Sequence, residues 1–262
     1  NFNTTLPAPD PIRYYDGLSW IDFSPKFLAA GTHIVKTAKI ILPFKNRLLL
    51  LNTFELNGAA YTSHVNRVRY SWNGSPIDAA RYAWLEPNQA NAGGAGYLDA
   101  PTEEAIVSAE FIRDRLIVYF ENSTWILAYI GNEVLPFVWQ KLNTELGSQA
   151  TFSSVPFDKA ILNVGLTGVY SCNGANVSRI DSQIPEDIFR ILHNSDQTQR
   201  IHGIRDYNTE LVYWTLPKLR ANDTYSFSDK VLVYNYVNNS WAYNDDSITT
   251  FGYCEQVEGE TW

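Results

Sequence analysis

The residues that could do chemistry are few and scattered. Four histidines, His33, His64, His193 and His202, are the natural candidates for metal binding or proton transfer. None stands in an HExxH pattern, and none is spaced with a cysteine as a zinc site requires. The two cysteines, Cys172 and Cys254, lie far apart with no CxxC, so two buried thiols are expected, with a single disulfide between them as the alternative. No GxSxG elbow, P-loop or GxGxxG fingerprint occurs. Gly93-Gly94-Ala95-Gly96 is glycine-rich but lacks the strand and helix that make a phosphate cradle. Glycoside hydrolysis needs two carboxyl groups roughly 5 to 9.5 Å apart across a sugar. Asp16, Asp22, Asp78, Glu110, Asp114, Asp158 and Asp206 are the candidates, and all fall in turns or strands where acids are ordinarily solvated. The Ser-x-Asp-x-Gly-x-x-Trp box of sialidase-like proteins is absent, and Asp245-Asp246 is too short for a calcium loop. Trp20, Trp72, Trp84, Trp125, Trp139, Trp214, Trp241 and Trp262 could stack sugars or bases. Their positions near strand ends, one or two per structural unit, read more simply as packing between sheets. The expectation is therefore no catalytic residue, no cofactor-binding residue, no metal ligand and no cofactor.

Composition narrows the class. The chain has 262 residues, 45% hydrophobic and 18% charged, enough for a sizeable core and too apolar for disorder. Lys+Arg 20 against Asp+Glu 28 leaves a net charge of -8. Clustered cations are what phosphate binding needs, so stable nucleic-acid binding is not expected. An acidic surface would still suit a channel through which DNA slides without adhering. The most apolar stretch, 34–51, is broken by Lys36, Lys39, Lys45 and Arg47, so membrane insertion is not expected. Residues 1–16 lack the basic start and apolar run of a signal peptide. The chain begins with Asn and contains Met 0, which reads as a processed product or a piece of a longer chain.

The elements that would position any site are short strands. Arg47–Leu51, Arg67–Trp72, Ala105–Ile112, Arg115–Phe120, Thr124–Tyr129 and Val134–Lys141 are strand-like runs between polar turns. In Arg67–Trp72 the apolar Val68, Tyr70 and Trp72 alternate with Arg67 and Arg69. The same grammar recurs at Ile161–Val164, Val169–Cys172, Asn176–Ile180, Ile201–Asp206, Glu210–Trp214, Lys230–Tyr236 and Ser240–Tyr243. Asn173-Gly174 reads as a two-residue hairpin turn, because both residues tolerate positive φ. Similar runs begin at Arg47, Arg115, the Gly165 turn region and Glu210. Apart from a longer first interval, the spacing matches the roughly 40 to 50 residues of a four-stranded propeller blade. The fold class expected is all-β, a β-propeller of four-stranded antiparallel blades that forms part of a longer chain, with a β-sandwich as the rival. Residues 1–262 are read as one propeller domain or propeller fragment. A Gly-rich loop insertion is expected at 88–101, and a short helical insertion between blades at 182–200, where Pro185 and the acids after it suit a first helical turn. Asp16–Trp20 resembles the last hairpin of a preceding unit, and Thr249–Cys254 the first strand of another.

Several of these strand phrases resemble tailed-bacteriophage structural proteins. They are Pro43–Thr53 followed by Asn66–Trp72, then Val164–Tyr170 with Ile180 after it, and Val233–Trp241. The likeness extends over most of residues 11–245 and is one of phrasing rather than of a diagnostic motif. It implies a propeller domain in a tail, nozzle or muzzle protein beneath the portal, a structural role without enzymatic activity. The implied partners are copies of the same chain in a ring and other tail, adaptor or portal proteins. The implied location is the virion, assembled in the host bacterial cytoplasm. The alternative function is a carbohydrate-binding or glycan-cleaving propeller.

Overall fold

The computed structural model of the protein describes residues 10–77, 83–87, 94–184, 200–217 and 228–253. It is all-β: these residues form five antiparallel sheets and no α-helix. The chain divides into two compact units, residues 1–145 and 146–262.

In the first unit, β1 (Ile12–Tyr15) and β2 (Trp20–Phe23) make a hairpin closed by Asp16, whose carboxylate accepts the backbone N–H groups of Leu18 and Ser19. A four-stranded sheet follows, built of β3 (His33–Phe44), β4 (Arg47–Asn57), β5 (Ala60–Tyr70) and β6 (Gly96–Asp99). The next contains β7 (Ile106–Ile112), β8 (Arg115–Phe120), β9 (Thr124–Tyr129) and β10 (Phe137–Asn143). The second unit has β11 (Val155–Pro156), β12 (Ile161–Gly165), β13 (Gly168–Cys172) and β14 (Val177–Arg179), then β15 (Gly203–Asp206), β16 (Leu211–Pro217), β17 (Ser228–Asn235) and β18 (Ser240–Asn244). All four larger sheets are plain meanders, in which each strand pairs with its sequence neighbour.

The strands alternate their side chains to build a core between facing sheets. Leu49, Leu51, Val68 and Tyr70 of the β3–β6 sheet meet Leu116, Val118, Phe120, Trp125, Leu127 and Phe137 of the β7–β10 sheet. In the second unit Val164 and Val169 meet Val212, Trp214, Leu216 and Leu232 in the same manner. Leu50 points the other way, into a third cluster with Ile12, Phe27, Val35 and Trp84. The β3–β6 sheet is thus covered on both faces, which is why Leu48–Leu51 reads as an unbroken apolar run.

Local chemistry sets the turns. Lys45 and Asn46 both adopt positive φ, 50° and 58°, in a two-residue turn that matches strand twist. Asn52 sits at a bulge in β4 with φ 55°, and its Nδ2 donates to the Ile106 carbonyl of the neighbouring sheet at 3.0 Å. Asn173 works differently from its sequence reading. Only Gly174 has positive φ, the loop is closed by Asn173 N donating to Asn176 O, and the Asn173 side chain accepts the N–H groups of Ala175 and Asn176. The turn is an Asx turn in a longer loop.

Other expectations shift. β4 runs on to Asn57, and β3 is a long strand that the sequence reading did not separate out. Within the 88–101 segment expected as a loop, Gly96–Asp99 is strand β6; residues 88–93 lie outside the described residues. Most of the 182–200 segment expected to be helical, residues 185–199, also lies outside them. Residues 249–253 are not a strand: Phe251 instead packs against His202 and Tyr213. Cys172 is buried and Cys254 is outside the described residues.

Close approach fixes Gly165. A Cβ there would meet the Tyr170 ring and lie 2.6 Å from the Gly147 carbonyl oxygen. Gly165→Ala should therefore destabilise the second unit by about 1–3 kcal/mol. The urea midpoint of the purified protein measures this, and an unchanged midpoint would refute the close packing.

Candidate functional site

Among the described residues, the densest constellation of ionisable groups lies on the second face of the β3–β6 sheet. Strand alternation sends Val68 and Tyr70 into the core and Arg67 and Arg69 to the opposite face, as the sequence pattern indicates. That face is not solvated. Arg69 and Glu55 are each 2% exposed at the side chain. Arg69 Nε donates to Glu55 Oε1 at 2.6 Å and Nη2 to Oε2 at 2.8 Å, a two-pronged pairing. Arg67 Nη1 reaches Glu55 Oε2 at 3.3 Å, and its Nε and Nη2 grip Asp99 at 2.7 and 2.9 Å. Arg69 Nη1 also donates to Glu86 at 3.1 Å, and Thr53 Oγ1 donates to Glu55 at 2.8 Å. The Arg67 guanidinium lies 4.0 Å from the centre of the Tyr97 ring, and that of Arg69 lies 4.0 Å from the centre of Phe27.

The register explains the convergence. Leu50 pairs with Arg69 and Glu55 with Thr62, so long arginine side chains must run along the sheet to reach Glu55. β6 then places Asp99 beside Arg67. Burial alone would raise the Glu55 carboxyl, but the hydrogen bonds and charge of Arg69, with Thr53 and Arg67, hold it below its ordinary value. The hydrogen bond from Arg67 lowers Asp99. Burial disfavours the charged form of Arg67, yet Asp99 and Glu55 raise its affinity for the proton overall. His64, 3.7 Å from Glu55, is lowered by burial and then by the Arg67 charge, which together outweigh the neighbouring carboxylate.

Glu55, Glu86 and Asp99 each hold a guanidinium, which makes the cluster an internal ion lock. Among the described residues, no group of three His, Cys, Asp or Glu side chains is placed to hold a metal. The sequence candidates are dispersed. Asp16 and Asp206 organise turns, Asp22 pairs with Arg13 at the surface, and Glu110 is raised by burial. Asp78 and His193 lie outside the described residues. His202 sits between Phe152 and Phe251 and is lowered by burial. Trp84, Trp125 and Trp214 are buried in cores, as packing predicts, whereas Trp20 is exposed. Trp262 lies outside the described residues.

Two arrangements escaped the sequence reading. Glu55 was not singled out, although an acid four residues beyond the Leu48–Leu51 run, with two arginines on a neighbouring strand, was the available signal. In the second unit, Arg205 is boxed by Phe157, Tyr207 and Tyr236, its guanidinium 4.1, 4.5 and 4.7 Å from their ring centres. Tyr207 and Tyr253 stand exposed beside it. This is a partly open aromatic surface with a cation at its centre.

No family model and no curated protein matches the chain. Among solved structures, it is similar to an ancestral GH74 enzyme at 10% identity and TM-score 0.37, covering 84% of this chain and 32% of that one. The chain thus spans about a third of that enzyme's length. It is also similar to a Bacteroides fragilis protein described as exported, at 12% identity and TM-score 0.31, covering 85% and 75% of the two chains.

Removing one partner from a buried ion pair strands the other. Arg69→Leu should cost about 3–5 kcal/mol by taking away the two-pronged partner of buried Glu55, which would keep only Thr53 and the longer contact to Arg67. Acid should loosen the same lock in order. The depressed His64 lets the unfolded chain take up a proton first, so stability begins to fall as pH drops through the ordinary histidine range. Glu55 and Asp99 add to the loss as pH falls through and below the ordinary carboxylate range. Thermal unfolding against pH tests both parts: His64→Gln should reduce the first loss, the similarly lowered His202 supplying the remainder, and keep the second, and an unaltered profile would refute the role of His64.

Proposed function

We propose that this protein is a structural component of a phage virion tail, a β-propeller part of a nozzle- or hub-like ring beneath the portal. Each four-stranded meander would be one blade. The protein would act by subunit assembly and contribute to the wall of the DNA exit channel. The observation that carries the reading is the repeated four-stranded meander, stacked through apolar faces in each unit. The β1–β2 hairpin against the first meander extends the same stacking pattern, as half of a further blade would. The strand phrases similar to those of tail proteins supply the virion context, and the net charge of -8 suits a wall past which DNA must slide.

Carbohydrate binding is the second reading, favoured by the exposed Tyr207 and Tyr253 beside Arg205. Exposed rings can stack on sugars while an arginine donates to their hydroxyl groups. Negative-stain microscopy with mass measurement, paired with a glycan array, separates the two. Rings of defined copy number without glycan binding are expected. A monodisperse monomer that binds glycans would overturn the tail reading, and Tyr207→Ala should then weaken the binding.

A further inference from the structure

We infer that the turn between β9 and β10 is a docking knob, and that its socket is the cleft beside the β1–β2 hairpin of a second copy of this chain. The inference rests on the ring-forming reading above and names the contact that would build the ring.

The knob is an ordered turn with apolar side chains where a turn ordinarily carries polar ones. Tyr129, Ile130, Val134 and Leu135 are 42%, 54%, 64% and 43% exposed. Ile130 N donates to Pro136 O at 2.8 Å, closing the loop. Gly131 takes positive φ, and the Asn132 carboxamide oxygen accepts the N–H groups of Val134 and Leu135 at 2.8 and 3.1 Å. The Tyr70 hydroxyl donates to Val134 O from below at 3.4 Å. A turn held in this way presents its side chains with little ordering left to lose on contact.

The socket lies in the same unit. It is a cleft of about 390 Å³ between the hairpin and the strand-free residues near Trp84, lined by Tyr14, Ile21, Phe23, Pro76 and Trp84, with Lys26 at its edge. Its dominantly apolar wall suits aliphatic side chains such as Val134 and Leu135. Charge matches as well. The knob carries Glu133 and the socket carries Lys26, both exposed, and neither has an ion-pair partner among the described residues. The socket's own carboxylate, Asp22, is held by Arg13 at 2.9 Å. Knob and socket are different patches, so one copy's knob in the next copy's socket is a head-to-tail contact. Repeated, such a contact closes into a ring when the rotation allows.

Mass photometry on the full protein tests this with Glu133→Lys, Lys26→Glu and the double variant. Both changes are at exposed positions, and matched thermal unfolding confirms that each variant is folded. Each single reversal should weaken association about tenfold by setting like charges against each other, and the double variant should recover most of the loss. Val134→Asp, which removes the apolar contact, should also disperse the assembly. Rings that persist unchanged in both single variants would overturn the inference while leaving the assembly reading in place. A wild-type protein that stays monomeric at every concentration would overturn both.

Discussion

A carboxylate buried at the junction of two guanidinium groups constrains the first unit more than any other contact. Glu55 cannot be left alone in an apolar layer, because an unpaired buried charge costs several kcal/mol. Arg69 and Arg67 satisfy it only when β4, β5 and β6 are in their observed register. A one-residue slip would send both arginines into the leucine core and Val68 and Tyr70 onto the charged face. The ion lock therefore selects register, and the apolar core on the other face supplies most of the burial. Phe27 and Glu86, joined by the Glu86 N–H donating to the Phe27 carbonyl, both contact Arg69, so the cover on this face and the sheet are fixed by one network.

Two-sided burial follows from this. A sheet with a solvated outer face would show polar residues at alternate positions, and β4 does not over its first half. Leu49 and Leu51 face one layer while Leu50 faces another. The hairpin that provides the second layer is itself thinly supported. Two strands are marginal alone, and Trp20 and Leu18 remain exposed on it at 69% and 92%. The first unit thus leaves apolar side chains exposed on the hairpin while burying Glu55, Arg67 and Arg69 in one ion lock.

Much of the fold was legible in the sequence because turn chemistry and strand periodicity are local. Arg113-Asp114 between two apolar runs is the β7–β8 turn, and Asn235 to Asn239 the turn after β17. The errors came where tertiary contact decides. Gly96–Asp99 looks like loop because glycines precede it, yet it completes a sheet by pairing with Arg67–Tyr70. Asn173 can serve a hairpin turn in two ways, and the loop length that chooses between them depends on where β14 begins. The site was less legible than the fold. Alternation placed Arg67 and Arg69 on one face but could not tell that another layer would bury it. Glu55 lies on the neighbouring strand, and only the bulge at Asn52 aligns it with both arginines.

The bulge connects register to the β9–β10 turn. Asn52 leaves the pairing pattern with positive φ and donates to Ile106, so the same residue that phases Glu55 also seats the β7–β10 sheet. The β9–β10 turn rides on that second sheet, and Tyr70 of the first holds it through Val134. The exposed apolar turn is therefore fixed, through two sheets, to the charged layer that orients the hairpin cleft. Knob and socket belong to one rigidly packed unit rather than to independent loops. A head-to-tail ring needs that property, since its closure depends on a constant angle between the two contact surfaces of each subunit.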